Sequence, residues 1–432
     1  MRAFLLSAAV AAHAAPAAPV LLTLNASLVA YAKEHSGEPP FARALAAVMA
    51  AGTAYLTEGP WSVVDANYTP PSGDMHDYTS FARYGWPCNS VAKFCSLPTP
   101  DGCNLTSGLP WFLCDGVVNP YSDLSGNGAR LFKTNDAVQA LAAAYTFSGD
   151  ARFAARAALI ARAWYVTPAT RMNPNLRFAQ SLPPADGEWF GVMDLTTNFA
   201  RVLDALTLIW GSGAWTAADE AGLVEWCTEL VAWLETSKAG RNESQQSNNH
   251  QTHYRSVTAA CKLRAGDARG AAAVLLGALE PPPAGGANAP LGVQVWADGE
   301  LPAEQIRTNS LGYFNFDLTA LFWLGQMSRA APIAALGTVP DVLTYVTRAN
   351  ASSIRGVVDF LAPFVAGKSW PWQNIDNWTW TQAGAFENLR RAAHAWGDAR
   401  YAALADALPG DWAEQTSVLW WPWPLVAGGG GP

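Results

Sequence analysis

Two short segments hold the side chains best suited to chemistry. One reads Ser247-Asn248-Asn249-His250. The other, roughly sixty positions later, reads Glu304-Gln305-Ile306-Arg307-Thr308-Asn309-Ser310-Leu311-Gly312-Tyr313. Between them they supply an amide, an imidazole, a guanidinium and a phenol. An amide N–H and a guanidinium fork can neutralise a carboxylate. The proton on the adjacent carbon then becomes acidic, a base removes it, and an acid protonates the departing oxygen. That sequence of events is β-elimination at a uronic-acid glycosidic bond. A free tyrosine has a pKa of about 10, roughly three units too high for a good base at neutral pH. Arg307 nearby would favour the ionised phenol, and holding the phenol against substrate would bridge the remaining gap.

Two further stretches accompany these. Ser72-Gly73-Asp74-Met75-His76-Asp77-Tyr78-Thr79-Ser80 leads to Tyr84-Gly85-Trp86-Pro87, and Arg171-Met172-Asn173-Pro174-Asn175-Leu176-Arg177-Phe178-Ala179-Gln180 follows later. With the Asn-Asn-His and Arg-Thr-x-Ser-x-x-Tyr segments, in this order, they resemble the alginate lyase family of polysaccharide lyases from roughly Leu56 to Trp372. The resemblance implies an all-α fold, an (α/α) toroid of antiparallel helical hairpins. It also implies cleavage of β-1,4-linked uronates, such as mannuronan or glucuronan, with no metal and no cofactor. Asn249 and His250 match the family's neutralising and general-base positions, and Arg307 and Tyr313 its charge-stabilising and proton-transfer positions. Asp74, His76, Tyr78, Asn173, Asn175, Gln180, Asn248, Tyr254 and Trp372 become candidate substrate contacts.

Each of these residues also has a plainer reading. The His76 and Asn173 segments could be hydrogen-bonded loops. Arg307 could pair with Glu304 on a helix face, and Tyr313 could be core beside Phe314 and Phe316. Two positions depart from the family. Some branches carry the tyrosine one residue later, where Phe314 stands, and an aromatic, often Trp, is common at His253. His250 and His253 lie at i and i+3, but no carboxylate stands at ligand spacing, so a zinc site is not expected.

With 432 residues and 50% hydrophobic content, the chain can bury a large core. Its net charge of −8 argues against nucleic acid and sits awkwardly with a polyanionic substrate. Positive potential must therefore be concentrated in a cleft. No run of about 18 apolar residues follows the N-terminus, so no membrane span is expected. Arg2, the apolar run Ala3–Ala12 and the small-x-small site Ala12-His13-Ala14 read as a signal peptide over residues 1–14, leaving 15–432 as one secreted, extracellular domain. A monomer is expected, with the polysaccharide as its partner. Cys88, Cys95, Cys103 and Cys114 crowd one loop-rich stretch and should form two disulfides, in any of three pairings. Cys227 and Cys261 fall on helical patterns and could be paired or merely buried. Sequons at Asn25, Asn67, Asn104, Asn242, Asn350 and Asn377 point to a glycosylated eukaryotic product.

The elements that must position these groups are helical. Val138, Leu141, Ala142 and Tyr145 follow the i, i+3, i+4, i+7 spacing. So do Phe199, Val202, Leu203 and Leu206, then Leu223, Trp226, Cys227 and Leu230. Thr216 with Asp219 reads as a helix start. Gly-Asp-Ala-Arg recurs at 149–152, 266–269 and 397–400, each time between Ala-rich helical patterns. Gly suits the left-handed position that ends a helix, and Asp caps the next one. The repeated unit is therefore an αα-hairpin, and several of them in one chain make a helical toroid. Pro281–Gly286 reads as a surface loop and the tail from Gly428 as disordered. Among the 20 tryptophans, Trp86, Trp370 and Trp372 stand in Pro-rich loops and are the better cleft candidates.

Two other functions compete. An inverting glycoside hydrolase would need two carboxylates about 6.5–9.5 Å apart, and Asp74, Asp298 and Glu300 are available. A non-catalytic glycan-binding protein should have lost His250 or Tyr313, and both are kept.

Overall fold

The computed structural model describes residues 18–185, 187, 191–280, 290–375 and 379–423. The expected signal segment, the 281–286 loop, the Asn377 sequon and the tail from Gly428 lie outside these residues. Helices of nine residues or more are α1 (Ala26–His35), α2 (Ala42–Tyr55), α3 (Asn127–Ser148), α4 (Ala151–Ala161), α5 (Phe199–Leu208), α6 (Ala217–Thr236), α7 (Asn249–Arg264), α8 (Ala268–Leu279), α9 (Ser310–Arg329), α10 (Ile354–Val365), α11 (Thr379–Trp396) and α12 (Ala399–Ala407). The four short strands described are β1 (Thr79–Phe81), β2 (Gly85–Pro87), β3 (Trp111–Leu113) and β4 (Phe178–Ser181).

The Gly-Asp-Ala-Arg repeats form the turns of α3/α4, α7/α8 and α11/α12. Gly149, Gly266 and Gly397 have φ of 71°, 76° and 61°, where a side chain would be strained. The next residue caps the following helix each time: Asp150, Asp267 and Asp398 accept from the backbone N–H of Arg152, Gly270 and Arg400. Thr216 and Asp219 form the expected capping box at the start of α6. The apolar stripes face inward as their spacing requires. Phe199, Val202, Leu203 and Leu206 are fully buried, as are Leu223, Trp226, Cys227 and Leu230. Cys227 and Cys261 are both buried free thiols.

Neighbouring hairpins pack side by side, α3 against α2, α4 and α5, α7 against α6, α8 and α9, and α11 against α9 and α12. The short helix Ser417–Trp420 returns to pack on α1 and α2, and Arg43 of α2 pairs with Asp411 and Glu414. The fold is thus the expected all-α toroid. One further tie joins distant parts of the chain. Asp204 of α5 accepts the backbone N–H groups of Leu22, Thr23 and Leu24, plus the Thr23 hydroxyl, at 2.6–3.0 Å.

α7 stands out because it is buried while carrying Gln251, Thr252, His253, Arg255, Ser256 and Thr258 among its buried residues. A polar helix can be buried only if its groups find partners. The Arg264 guanidinium meets this demand through Glu220, with two contacts of 2.6 Å.

Outside the ring, β2 and β3 pair antiparallel, with Gly85 opposite Leu113 and Pro87 opposite Trp111. Disulfides Cys88–Cys103 and Cys95–Cys114 knot the loop between them. Trp86, Val91 and Cys114 form a small core there, separate from the main one. Trp86, expected in the cleft, is 4% exposed in this small core and donates its indole N–H to the Val117 carbonyl.

Candidate active site

The start of α7 presents Asn249 and His250. Asn248 is the N-cap, and its side chain accepts from the His250 N–H at 3.2 Å. Its carbonyl accepts from Gln294. Asn248 therefore orients the site from behind. Asn249 is 1% exposed, and its amide donates to both oxygens of Glu304 at 2.9 and 2.8 Å, with its backbone N–H adding a third bond at 2.6 Å. His250 Nδ1 lies 2.8 Å from a carboxylate oxygen of fully buried Glu243. A carboxylate there holds the proton on Nδ1, which makes Nε2 the basic atom of the neutral ring.

The second segment brings Arg307 and Tyr313 together. The guanidinium carbon of Arg307 sits 3.7 Å from the Tyr313 ring centroid. The Tyr313 hydroxyl donates to the Tyr84 hydroxyl at 2.9 Å. Arg307 does not pair with Glu304. Its Nε donates to both oxygens of Asp115 at 3.1 Å, and Nη2 adds a third contact. Burial pushes the Tyr313 phenol well above its ordinary value, Tyr84 adds to the rise, and Arg307 opposes it without reversing it. Arg307 does favour the ionised phenol, as expected, but desolvation outweighs the cation.

Behind these groups lies a buried acidic pair. Burial pushes both Glu304 and Asp317 above the usual carboxylate range, and the Asp317 charge adds to the rise at Glu304. His253 packs against Phe316, with ring centroids 4.1 Å apart and the planes tilted by 31°, and burial pushes its pKa down to about 3. It is a neutral packing residue. Among the described residues no group of three His, Cys, Asp or Glu side chains could hold a metal ion.

The loops expected to meet sugar bind one another. Asp77 accepts the amides of Asn173 (2.9 Å) and Asn175 (3.0 Å), and Ser72 donates to it. Asp74 accepts from the Asn173 amide and the His76 N–H, and His76 Nδ1 meets the Arg171 carbonyl at 2.7 Å. Asp194, which sequence reading missed, gathers Tyr78 (2.9 Å), Gln180 (2.6 Å) and Ser80. Tyr78 is fully buried, so it supports the wall rather than facing a ligand. Gln180 takes a left-handed φ of 47°, a strained conformation for a non-glycine residue. Tyr254 is 8% exposed, and its hydroxyl reaches the Leu234 carbonyl at 3.4 Å, away from the helix start. Trp372 is half-buried against Trp370, Phe360 and Phe364. Asp298 caps a turn at the Glu300 N–H. Tyr84, Asp115, Glu243 and Glu304 complete the site. Of these, Tyr84 and Glu304 fall inside motifs quoted above, whereas nothing in the spacing of Asp115 or Glu243 marks them.

A helical ring holding an amide, a carboxylate-bound imidazole and an arginine-covered phenol has the apparatus of a polysaccharide lyase. The family model for alginate lyase matches residues 62–372, and the chain belongs to the alginate lyase family. A crystal structure of an alginate lyase from Bacteroides ovatus is 30% identical, with TM-score 0.80, covering 93% of this chain and 98% of its own. Alginate lyase A1-III from Sphingomonas species A1 is 16% identical, with TM-score 0.46, over 87% of this chain and 94% of its own. A variant of A1-III complexed with a tetrasaccharide is also 16% identical, with TM-score 0.45, over 81% and 86%. No curated protein matches the chain.

Proposed function

We propose that the protein is a secreted lyase that cleaves a β-1,4-linked polyuronate, glucuronan or mannuronan, by β-elimination. The observation that carries this reading is the Tyr313 phenol, covered by Arg307 at 3.7 Å on the segment that also holds Asn249 through Glu304. Arg307 offsets the charge of the sugar carboxylate, while Asn249, expected to share that role, gives its amide to Glu304 and braces the segment instead. The Tyr313 phenolate takes the C5 proton, the C4–O4 bond breaks as the C4=C5 double bond forms, and the phenol so made returns that proton to O4 of the leaving sugar. His250, fixed by Glu243, neutralises the carboxylate or shares the base role.

The stereochemistry narrows the substrate. In β-linked mannuronate and glucuronate, the C5 hydrogen and O4 lie on the same side, so one tyrosine can serve both. In guluronate they lie on opposite sides, and two groups on opposite faces are required. The two favoured sugars differ at C2, and no residue here is assigned to reading C2.

The test is an ultraviolet absorbance assay for unsaturated uronate on mannuronan, guluronan, glucuronan and hyaluronan. Product from mannuronan or glucuronan is expected. Faster cleavage of guluronan than of both would overturn the single-tyrosine argument, and reducing ends without the absorbance would mark a hydrolase.

A further inference from the structure

We propose that Asp115 is a positioning residue of this active site, carried there by the disulfide-knotted β2–β3 ladder and acting through Arg307. The proposal rests on the lyase reading above.

Asp115 is tied to two consecutive residues on the far side of the sequence. Its carboxylate takes Nε and Nη2 of Arg307, the Thr308 N–H at 3.0 Å and the Thr308 hydroxyl at 3.0 Å. Its carbonyl accepts the same hydroxyl at 2.8 Å. A long arginine side chain has several loose torsions, and a two-point fork fixes its plane. Here that plane lies over the Tyr313 ring.

The ladder supplies the other half of the arrangement. Because Gly85 faces Leu113, Tyr84 and Cys114 are the next pair, and the Cys114 N–H donates to the Tyr84 carbonyl at 2.9 Å. Tyr84 and Asp115 therefore leave the same end of one ladder. The first meets the Tyr313 hydroxyl and the second meets Arg307. The approach is close: Gly116 has φ of 75°, and a β-carbon there would run into Thr308 and Ile375 side-chain atoms.

Charge argues against a purely stabilising role. The side chains of Asp115 and Arg307 are 35% and 21% exposed. Water reaches both partners and screens their attraction, which limits what the pair adds to stability. A carboxylate at the mouth of a polyanion site also repels substrate. What it provides in return is the orientation of Arg307.

The experiment compares Asp115→Ala, Arg307→Ala and the double variant in the lyase assay, with thermal midpoints to check folding. Asp115→Ala should lower kcat roughly tenfold to a hundredfold, as a misplaced group does, while KM stays level or falls because a negative charge has gone. In the Arg307→Ala background the same change should cost less than about twofold, since the two act as a unit. Hydrogen exchange, read without substrate, should show faster exchange over Arg307–Tyr313 in Asp115→Ala, with α7 unchanged. Additive losses in the double variant, or unaltered exchange, would overturn the proposal. A wild-type protein giving no unsaturated product would defeat the functional reading instead, and the exchange result would still judge Asp115.

Discussion

At the scale of single residues, the site is a set of polar groups whose charges are managed by burial. Tyr313 loses water on entering the fold and gains a cation over its face, and the loss dominates. Its phenolate fraction below the folded pKa grows about tenfold per pH unit, so kcat/KM should rise from neutral into alkaline pH. Tyr84 accepts the Tyr313 proton in a hydrogen bond, which favours the neutral phenol. Replacing Tyr84 by Phe should therefore move the ascending limb of the pH profile to lower pH. A move to higher pH would mean that Tyr84 instead donates to the phenolate. Tyr313→Phe should lower kcat by roughly three orders of magnitude or more with binding nearly unchanged, as for a group acting in the transition state. Wild-type turnover in that variant would remove Tyr313 from the mechanism. The quoted motifs made Asn249, His250, Arg307 and Tyr313 legible because family spacing is a local property. Asp115 and Glu243 were not legible. Asp115 reaches Arg307 across 192 residues, and no periodicity encodes such a meeting. The net Tyr313 shift was not legible for a related reason: a sequence names a cation nearby but does not weigh desolvation.

At the scale of elements, α7 is the beam on which the site rests. Its N-cap Asn248 holds the N–H of His250, so cap and site are one structure. Asn248→Ala should cost ~1 kcal/mol of stability and also lower activity by more than that loss of folded protein explains. Equal activity per folded molecule, from thermal midpoints and kinetics together, would separate the cap from the chemistry. The helical hairpins were legible because Gly-Asp-Ala-Arg states a stop and a start in four residues. The loops were harder. Asn173 and Asn175 were read for sugar, yet both donate to Asp77, because an amide satisfies whichever acceptor the fold places nearest. Trp86 was placed in the cleft from its Pro-rich surroundings. Those same surroundings are drawn by the two disulfides into a core of their own.

At the scale of the whole molecule, distant contacts tie the N-terminal segment to the ring. Asp204 is the clearest, with four donors converging on one buried carboxylate. Asp204→Asn weakens charge-assisted bonds and places an amide where only acceptors fit. A loss of ~2 kcal/mol is expected, read as a fall in thermal midpoint of about 2 °C for a chain of this size. A midpoint unchanged within error would show that the N-terminal segment is not held there. Glycan sites can be ranked in the same way. Asn67, Asn104 and Asn242 are exposed, while the Asn350 amide donates to the Val295 carbonyl and its oxygen accepts from Thr347. Glycopeptide mapping of protein made in a eukaryotic host should find sugar on the exposed three and none on Asn350.

The separate small core of the knotted loop bears on how the protein is produced. The main core of the ring uses none of the four bridged cysteines. A bacterial cytoplasm that keeps them reduced would yield soluble, helical material whose circular dichroism looks right. That material would lack the anchored end carrying Tyr84 and Asp115, and its specific activity would be low. Refolding under a glutathione couple, or export to an oxidising compartment, should restore it. Yield and helicity are therefore poor guides to the quality of a preparation, and a count of free thiols is a better one.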